Sequence, residues 1–316
     1  MKILAIRFSG LGDIVMLLQT LTKLKEKYEG AHITLLCDEV NQDIALNSGG
    51  VIDRAVGINR QVFKKRQVFS IVQQIVKLLS LKKETYDLII DFQNFGETAF
   101  ITHYCTAKEK RGAPKKSSRT YAYTTVVPRD DERNHRSQFF SRIAGVDDSL
   151  DYSKMVLSKT AEKYAQLIKS YQDNQKKSVG LNIGSSQESR RWSEKKFAAL
   201  AQRLNEHYNV LVFAGPSEKQ YLSAFSKSII TVTDISLDAL CGAISTCDYF
   251  ISNDTGPVHI AAALKIPTMT FFSTGTDENV GALISNKVSL VNVDDINAIE
   301  LEDALSLFET LTSTKK

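Results

Sequence analysis

The sequence predicts an α/β protein whose parallel sheets are covered on both faces and divided between two domains. Short β-rich runs alternate with longer helical stretches in both halves, and the connections between them are brief. At 316 residues, the chain is long enough for each half to bury its own core. A composition of 43% hydrophobic and 24% charged residues excludes a disordered chain and fits a globular one.

The elements follow in order. Ile3 to Ile6 is the first strand, followed by a glycine-containing turn from Ser9 to Gly12 and a helix from Asp13 to Tyr28. Ile33 to Cys37 is the next strand. The amphipathic stretch Gln67 to Leu81, then Tyr86-Asp87, lead into a strand from Leu88 to Asp91. Ser158 to Lys177 is polar and helical and separates the halves, so the domains are drawn at 1–160 and 161–316. Beyond it, strands Ser178 to Ile183, Val210 to Ala214, Ile229 to Val232, Tyr249 to Ser252 and Thr268 to Phe272 alternate with helices. Those helices are Glu194 to Tyr208, Ser217 to Ser228, Ser236 to Ser245 and Val258 to Leu264. The amphipathic tail Ile299 to Leu311 is a closing helix with the option of packing back on the first domain. In such folds ligands bind at the carboxyl ends of the strands.

The opening MKILAIRF is interrupted by Arg7 too early for a secretory signal, and no apolar run is long enough to span a bilayer. The expected location is the cytoplasm, with at most a peripheral hold on the inner membrane. Cys37, Cys105, Cys241 and Cys247 form no CxxC pair and are expected as small core residues, so neither a disulfide nor a zinc site is indicated. The net charge of +4 implies no nucleic-acid partner. Basic residues nevertheless crowd two segments, Lys64 to Arg66 and Lys108 to Arg119, read either as solvated surface or as a patch for an anionic partner.

Two turns stand out. In Tyr249 to Pro267, YFISNDTGPVHIAAALKIP, a buried strand breaks at Asn253 to Pro257 and a compact apolar helix follows. Asp254 or Thr255 is a good N-cap, and Gly256-Pro257 suits a tight turn and a first helical position. This is either an ordinary capped turn or a helix N-terminus that presents amides to an anion, phosphate above all. Ser9-Gly10-Leu11-Gly12-Asp13 is the second. Its spacing is not the GxGxxG dinucleotide fingerprint, which counts against a nicotinamide oxidoreductase. On local grounds, capping accounts for Asp13 as well as catalysis does.

Taken together, SxxGD after the first strand, the distal Asp254-Thr255-Gly256-Pro257-Val258-His259 turn, Ala261 to Leu264 and Pro267 resemble the bacterial heptosyltransferases, glycosyltransferase family 9. Asp91-Phe92-Gln93 is similar to the family's D-x-Q strand end, and Trp192 with Phe197 to its W-x-x-x-x-[WF] segment. The resemblance covers most of the chain. It implies a GT-B architecture, with two Rossmann-like domains whose parallel sheets face each other across a cleft. The first domain would bind the acceptor and the second the nucleotide sugar. The implied reaction is inverting transfer of a heptose from ADP-heptose to a hydroxyl of the anionic lipopolysaccharide inner core, with no cofactor and no metal.

The resemblance assigns roles residue by residue. Asp13 would be the general base. Ser185, Ser186, Arg190, Asp254, Thr255, Gly256 and His259 would hold the donor diphosphate, with Arg190 standing where the family carries lysine and Arg191 an alternative cation. For His259, a structural role in its helix stands beside phosphate contact. Glu218, Ile235 and Leu237 would hold the nucleoside, and Thr276 and Asp277 the sugar. Gly12, Lys64, Arg66, Gln93, Arg111 and Arg119 would meet the acceptor. His135 resembles a family position that opens a helix. One departure is the turn Phe272 to Glu278, where the family's F-G-x-T-D-P becomes FSTGTDE, with the glycine displaced and Glu278 in place of proline. Two alternatives stand beside this reading: the same fold with another nucleotide sugar, and a relative that binds nucleotide or glycan without turnover.

Overall fold

The computed structural model describes residues 1–65, 68–129, 134–150, 155–273, 277–292 and 294–313. The chain forms two compact units, Met1–Asp151 and Tyr152–Lys316, so the polar helix near the middle belongs to the second unit.

In the first unit, β1 (Lys2–Ile6), β2 (His32–Asp38), β3 (Arg54–Ile58), β4 (Thr85–Asp91), β5 (Thr106–Gly112) and β6 (Thr125–Val126) make one six-stranded sheet. Its order is β3-β2-β1-β4-β5-β6, and all its pairings are parallel. The connecting helices are α1 (Leu11–Lys27), α2 (Gln61–Lys64), α3 (Val68–Lys82), α4 (Gly96–Tyr104) and α5 (Arg136–Ala144). Helix α1 packs against α5 and buries Ile14, Leu17, Leu18, Leu21 and Leu24, residues spaced for one helical face.

In the second unit, β7 (Ser178–Asn182), β8 (Asn209–Phe213), β9 (Ile230–Val232), β10 (Tyr249–Asn253), β11 (Thr268–Phe272) and β12 (Lys287–Val291) form a parallel six-stranded sheet in the order β12-β11-β10-β7-β8-β9. Its helices are α6 (Lys159–Lys169), α7 (Glu194–Asn205), α8 (Leu237–Ile244), α9 (Gly256–Ala263), α10 (Asp277–Val280) and α11 (Leu301–Ser313). Strands β7, β10 and β11 are buried at every residue, which is why they read as continuous runs rather than alternating ones. The closing helix α11 belongs to this unit's core: Ala304, Phe308 and Leu311 pack with Trp192, Phe197 and Phe271. Trp192 is the hub, its indole N–H donating to Ile299 O at 2.9 Å and its ring 4.5 Å from that of Phe271.

Of the elements that differ from the sequence reading, three show why. Ser217 to Ser228, expected as a helix, makes only a 3₁₀ turn at Lys219–Ala224 that buries no residue, and without an apolar stripe to bury a short α-helix has little to hold it. Strand β3 hides behind Gly57, which breaks the β-rich pattern; a Cβ there would stand 2.7 Å from the Glu39 backbone, so β3 fits only with glycine. Strand β5, TAKEKRG, reads as a charge run, yet its charges are tied down in the sheet: Lys108 pairs with Asp87 at 2.6 Å and Lys110 donates to His103 O. All four cysteines are buried, as expected of small core residues. Among the described residues no helix is long and apolar enough to cross a membrane.

Candidate active site

Each sheet reverses its strand order once, between β1 and β4 in the first unit and between β7 and β10 in the second. Side chains beyond the carboxyl ends of the strands flanking such a reversal converge on a crevice. The Ser9–Asp13 turn and Asp91–Gln93 sit at the first of these points, and Gly184–Arg191 and Asp254–Gly256 at the second.

Asp13 lies in the first turn of α1. Gly10 precedes that helix at φ 87°, a left-handed conformation that favours glycine, and a Cβ on it would collide with the Asp13 carboxylate. The carboxylate is gripped from two sides. Arg7 donates to Oδ2, and Arg136 Nη1 lies 3.2 Å from Oδ1. Arg7 is buried at the end of β1, donates also to Phe92 O at 3.0 Å, and lies 5.4 Å from the centre of the Phe140 ring. Burial pulls its guanidinium below the ordinary arginine value, and the Asp13 charge opposes that pull. Arg136 is by contrast half-exposed. It is placed by His135, which caps α5 by accepting from Ser137 N at 3.2 Å.

Neither arginine figures among the sequence candidates. Arg7 carries a legible signal, since a charge that interrupts a buried strand six residues before an acid needs a partner. Arg136 carries none.

At the end of β4, Asp91 is wholly buried. It accepts from Gln93 N, Asn94 N and the Tyr123 hydroxyl at 2.9, 2.8 and 2.7 Å. Burial raises its carboxyl above the usual range, against the pull of these bonds. Asp91 therefore shapes the loop. Gln93 is buried with its Oε1 lacking a hydrogen-bond partner among the described residues. Arg119 donates to Asn94 O at 3.2 Å and so stays beside this loop.

Arg111 is drawn away from it. Its guanidinium is bound to both Glu109 carboxylate oxygens and to Ala144 O at the end of α5, opposite the end that carries Arg136. The rise of α5 separates those ends by about 12 Å, so Arg111 is held apart from the Asp13–Arg136 pair. Arg66 and Thr276 lie outside the described residues, as do the side chains of Lys64 and Asp277.

The second unit gathers the donor candidates at the ends of β7 to β10. Thr255 holds the N-cap position of α9 but its side chain caps nothing, because the hydroxyl accepts from Asn182 Nδ2 at 2.8 Å. The first-turn amides are thus left without a side-chain cap, which is the arrangement that receives an anion. Asn253, fully buried, ties this turn to the neighbouring loop: it accepts from Trp192 N at 3.0 Å and donates to Ile183 O and Gly184 O. His259 is buried within α9. Ser185 is buried, its hydroxyl donating to Gln187 O, whereas Ser186 is exposed.

The two arginines of this loop separate cleanly. Arg191 donates to Glu218 Oε1 and Ser185 O at 3.1 Å each and to the Tyr221 hydroxyl at 3.2 Å. The Arg190 side chain has no such partner among the described residues. Glu218 is buried after β8; a Cβ at Gly215 would stand 2.8 Å from its Oε2. Half-buried Ile235 and Leu237 follow β9, the strand beside β8. Among the described residues, no three His, Cys, Asp or Glu side chains gather where they could hold a metal ion.

Two doubly wound parallel sheets, each with loops gathered at its strand-order reversal, are the GT-B architecture. The solved heptosyltransferase WaaC of E. coli, determined with ADP, matches with a TM-score of 0.82 over 98% of this chain and 100% of that one, at 16% identity. The E. coli ADP-heptose LPS heptosyltransferase II matches with a TM-score of 0.82 over 98% of each chain, at 18% identity. In sequence, lipopolysaccharide heptosyltransferase 1 of Campylobacter coli is 25% identical over 98% of this chain and 99% of the relative. The model of glycosyltransferase family 9 (heptosyltransferase) matches residues 77–307, and the chain belongs to that family.

Proposed function

We propose that the chain transfers a heptose from ADP-heptose to a hydroxyl of the lipopolysaccharide inner core, inverting the anomeric carbon, with Asp13 as general base. The transfer uses no metal or cofactor and runs in the cytoplasm. The observation that carries the reading is the Asp13 carboxylate, fixed at the β1–β4 reversal by Arg7 and Arg136. One of its oxygens is held from the buried side, and the other pairs with the half-exposed Arg136, the side from which the acceptor hydroxyl would approach. The E. coli relatives, one determined with ADP and the other an ADP-heptose LPS heptosyltransferase, support the choice of donor.

In this mechanism the acceptor hydroxyl loses its proton to Asp13 as its oxygen forms the bond to the anomeric carbon. The bond from that carbon to the diphosphate breaks, and ADP leaves with the electron pair. Arg190 and the first-turn amides of α9 at Thr255 and Gly256 stabilise the growing negative charge, supported by Ser185, Ser186, Asp254 and His259. Glu218 Oε2 accepts from the ribose hydroxyls while Arg191 steadies the carboxylate, and Ile235 and Leu237 pack on the base. Thr276 and Asp277 meet the sugar. In the first unit Gly12, Gln93 and Arg119 face the acceptor, with Lys64 and Arg66 as electrostatic guides.

Asp13→Asn is expected to lower kcat by about 10²–10⁴-fold while ADP affinity by calorimetry stays unchanged. Retained turnover removes Asp13 as the base. The altered turn from Phe272 to Glu278 favours one further reading, the same transfer with a different nucleotide-linked sugar, and turnover with a panel of such sugars separates the two.

A further inference from the structure

Helix α3 is apolar on more than the face it buries. Two of its polar residues face the protein: Gln74 is buried and accepts from Asn59 N at 3.0 Å, and Lys77 donates to Gly57 O at 2.8 Å and pairs with Glu39. Leu78 and Leu81 pack on the first unit's core. Five further apolar residues face outward, with Phe69 78% exposed, Val76 58% and Val72 53%, and Ile75 and Leu79 nearly as open. Their spacing places Phe69, Val72, Val76 and Leu79 on one helical face. A surface helix ordinarily presents the opposite pattern.

The face extends beyond α3. Phe100 and Tyr104 of α4 are both more than half or half exposed and stack with ring centres 5.5 Å apart, and Lys82 Nζ lies 3.8 Å from the Tyr104 ring centre. A groove of about 750 Å³ opens beside it, lined by Leu78, Phe100 and Ile101 and also by Asp38, Glu39 and Glu97, whose carboxylates pair with Arg60 and Lys77. Exposed lysines mark both ends of the helix, Lys65 before it and Lys82 and Lys83 at its close, and α3 itself contains no acidic residue. An exposed apolar face of this extent marks a contact surface. Pairing with a second copy of the same face would set lysine against lysine whichever way the two helices ran. An anionic lipid surface satisfies both the apolar face and the flanking charge.

We propose that the outward face of α3, with Phe100 and Tyr104, lies in the interfacial layer of a bilayer containing anionic phospholipid. Phe69, Val72, Val76 and Leu79 enter the acyl boundary, and Lys82 and Lys83 meet the headgroup phosphates. The proposal does not depend on the donor sugar or on the role of Asp13.

The test is flotation of the full chain with vesicles of phosphatidylethanolamine and phosphatidylglycerol, against vesicles of phosphatidylcholine alone. The wild-type chain is expected to float with the anionic vesicles only, and less as salt rises. The triple variant Phe69→Ser, Val72→Ser, Val76→Ser is expected to stay unbound with an unchanged circular dichroism spectrum, since all three side chains are exposed. Lys82→Glu with Lys83→Glu is expected to weaken partitioning on the order of twentyfold, at about fivefold per lysine. Failure of the wild type to float overturns the proposal, as does equal flotation of the triple variant. A dimer in sedimentation velocity that the triple variant dissolves overturns it in favour of a second copy.

Discussion

Replacing Arg7 with leucine removes the buried grip on Asp13 while keeping an apolar side chain beside Phe140. Three interactions are lost. The Phe92 carbonyl, which takes Arg7 Nη1 at 3.0 Å, becomes a buried acceptor short of a donor at a cost of about 1–3 kcal/mol. The ring contact with Phe140 contributes about 0.5–1 kcal/mol. The bond to Asp13 contributes about 1.5–3 kcal/mol, offset in part because Arg136 remains and because a desolvated guanidinium is no longer buried. The net is about 2–4 kcal/mol. In a unit of this size that lowers its melting temperature by roughly 5–12 °C.

The companion variants are Asp13→Asn and the double replacement. Because the two side chains touch, their effects on stability are expected to be non-additive by about 1–2 kcal/mol. Scanning calorimetry reads the stability and ADP release reads the turnover, which in Arg7→Leu falls because the carboxylate is no longer aimed. A wild-type melting temperature in Arg7→Leu, or strict additivity in the cycle, would refute the claim that Arg7 positions Asp13.

Two further outcomes follow from the second unit and from the thiols. Arg190→Ala is expected to weaken ADP binding about 10–100-fold with an unchanged melting temperature, whereas Arg191→Ala lowers the melting temperature because Glu218 loses its buried cation; calorimetry and thermal melts on both variants test this contrast. Burial pushes the Cys37 thiol up to about 12 and raises Cys105 and Cys247, so the native protein at pH 8 is expected to resist a thiol-disulfide reagent until guanidinium unfolds it. The unfolded thiols titrate near 8.5 and the native ones later. The native state therefore holds more protons above that pH, and stability falls as pH rises from there toward about 12. Rapid labelling of the native chain would overturn this.

Much of the fold is legible because buried parallel strands leave a simple trace. Leu88 to Asp91 and Tyr249 to Ser252 are apolar on both faces and end in small or acidic residues, so their type and their carboxyl ends are both visible. Strand β5 is the counterexample, a charged segment whose strand conformation depends on pairing with β4 and on Asp87 receiving Lys108. The basic candidates fared unevenly for the same reason. Charge identity is in the sequence, but the partner that claims it is not. Arg111 is claimed by Glu109 and Ala144 O, and Arg191 by Glu218, while the Arg190 Nε has no hydrogen-bond partner among the described residues.

By itself the sequence picked out the candidate features: an acid in the first turn of the first helix, a helix N-terminus at Thr255-Gly256, and strand runs that force parallel sheets. These are local properties, set by side-chain type, periodicity and the conformational needs of glycine and proline. Only the tertiary structure decided that Asp13 is held by Arg7 and by Arg136, which stands far along the chain, and that Thr255 turns its hydroxyl to Asn182 instead of capping its helix. It also decided that α3 leaves a second apolar face outward while Leu78 and Leu81 pack on the core. A helical period shows that a face exists; which way it points depends on where Gln74 and Lys77 find hydrogen-bond partners, and those partners come from other parts of the fold.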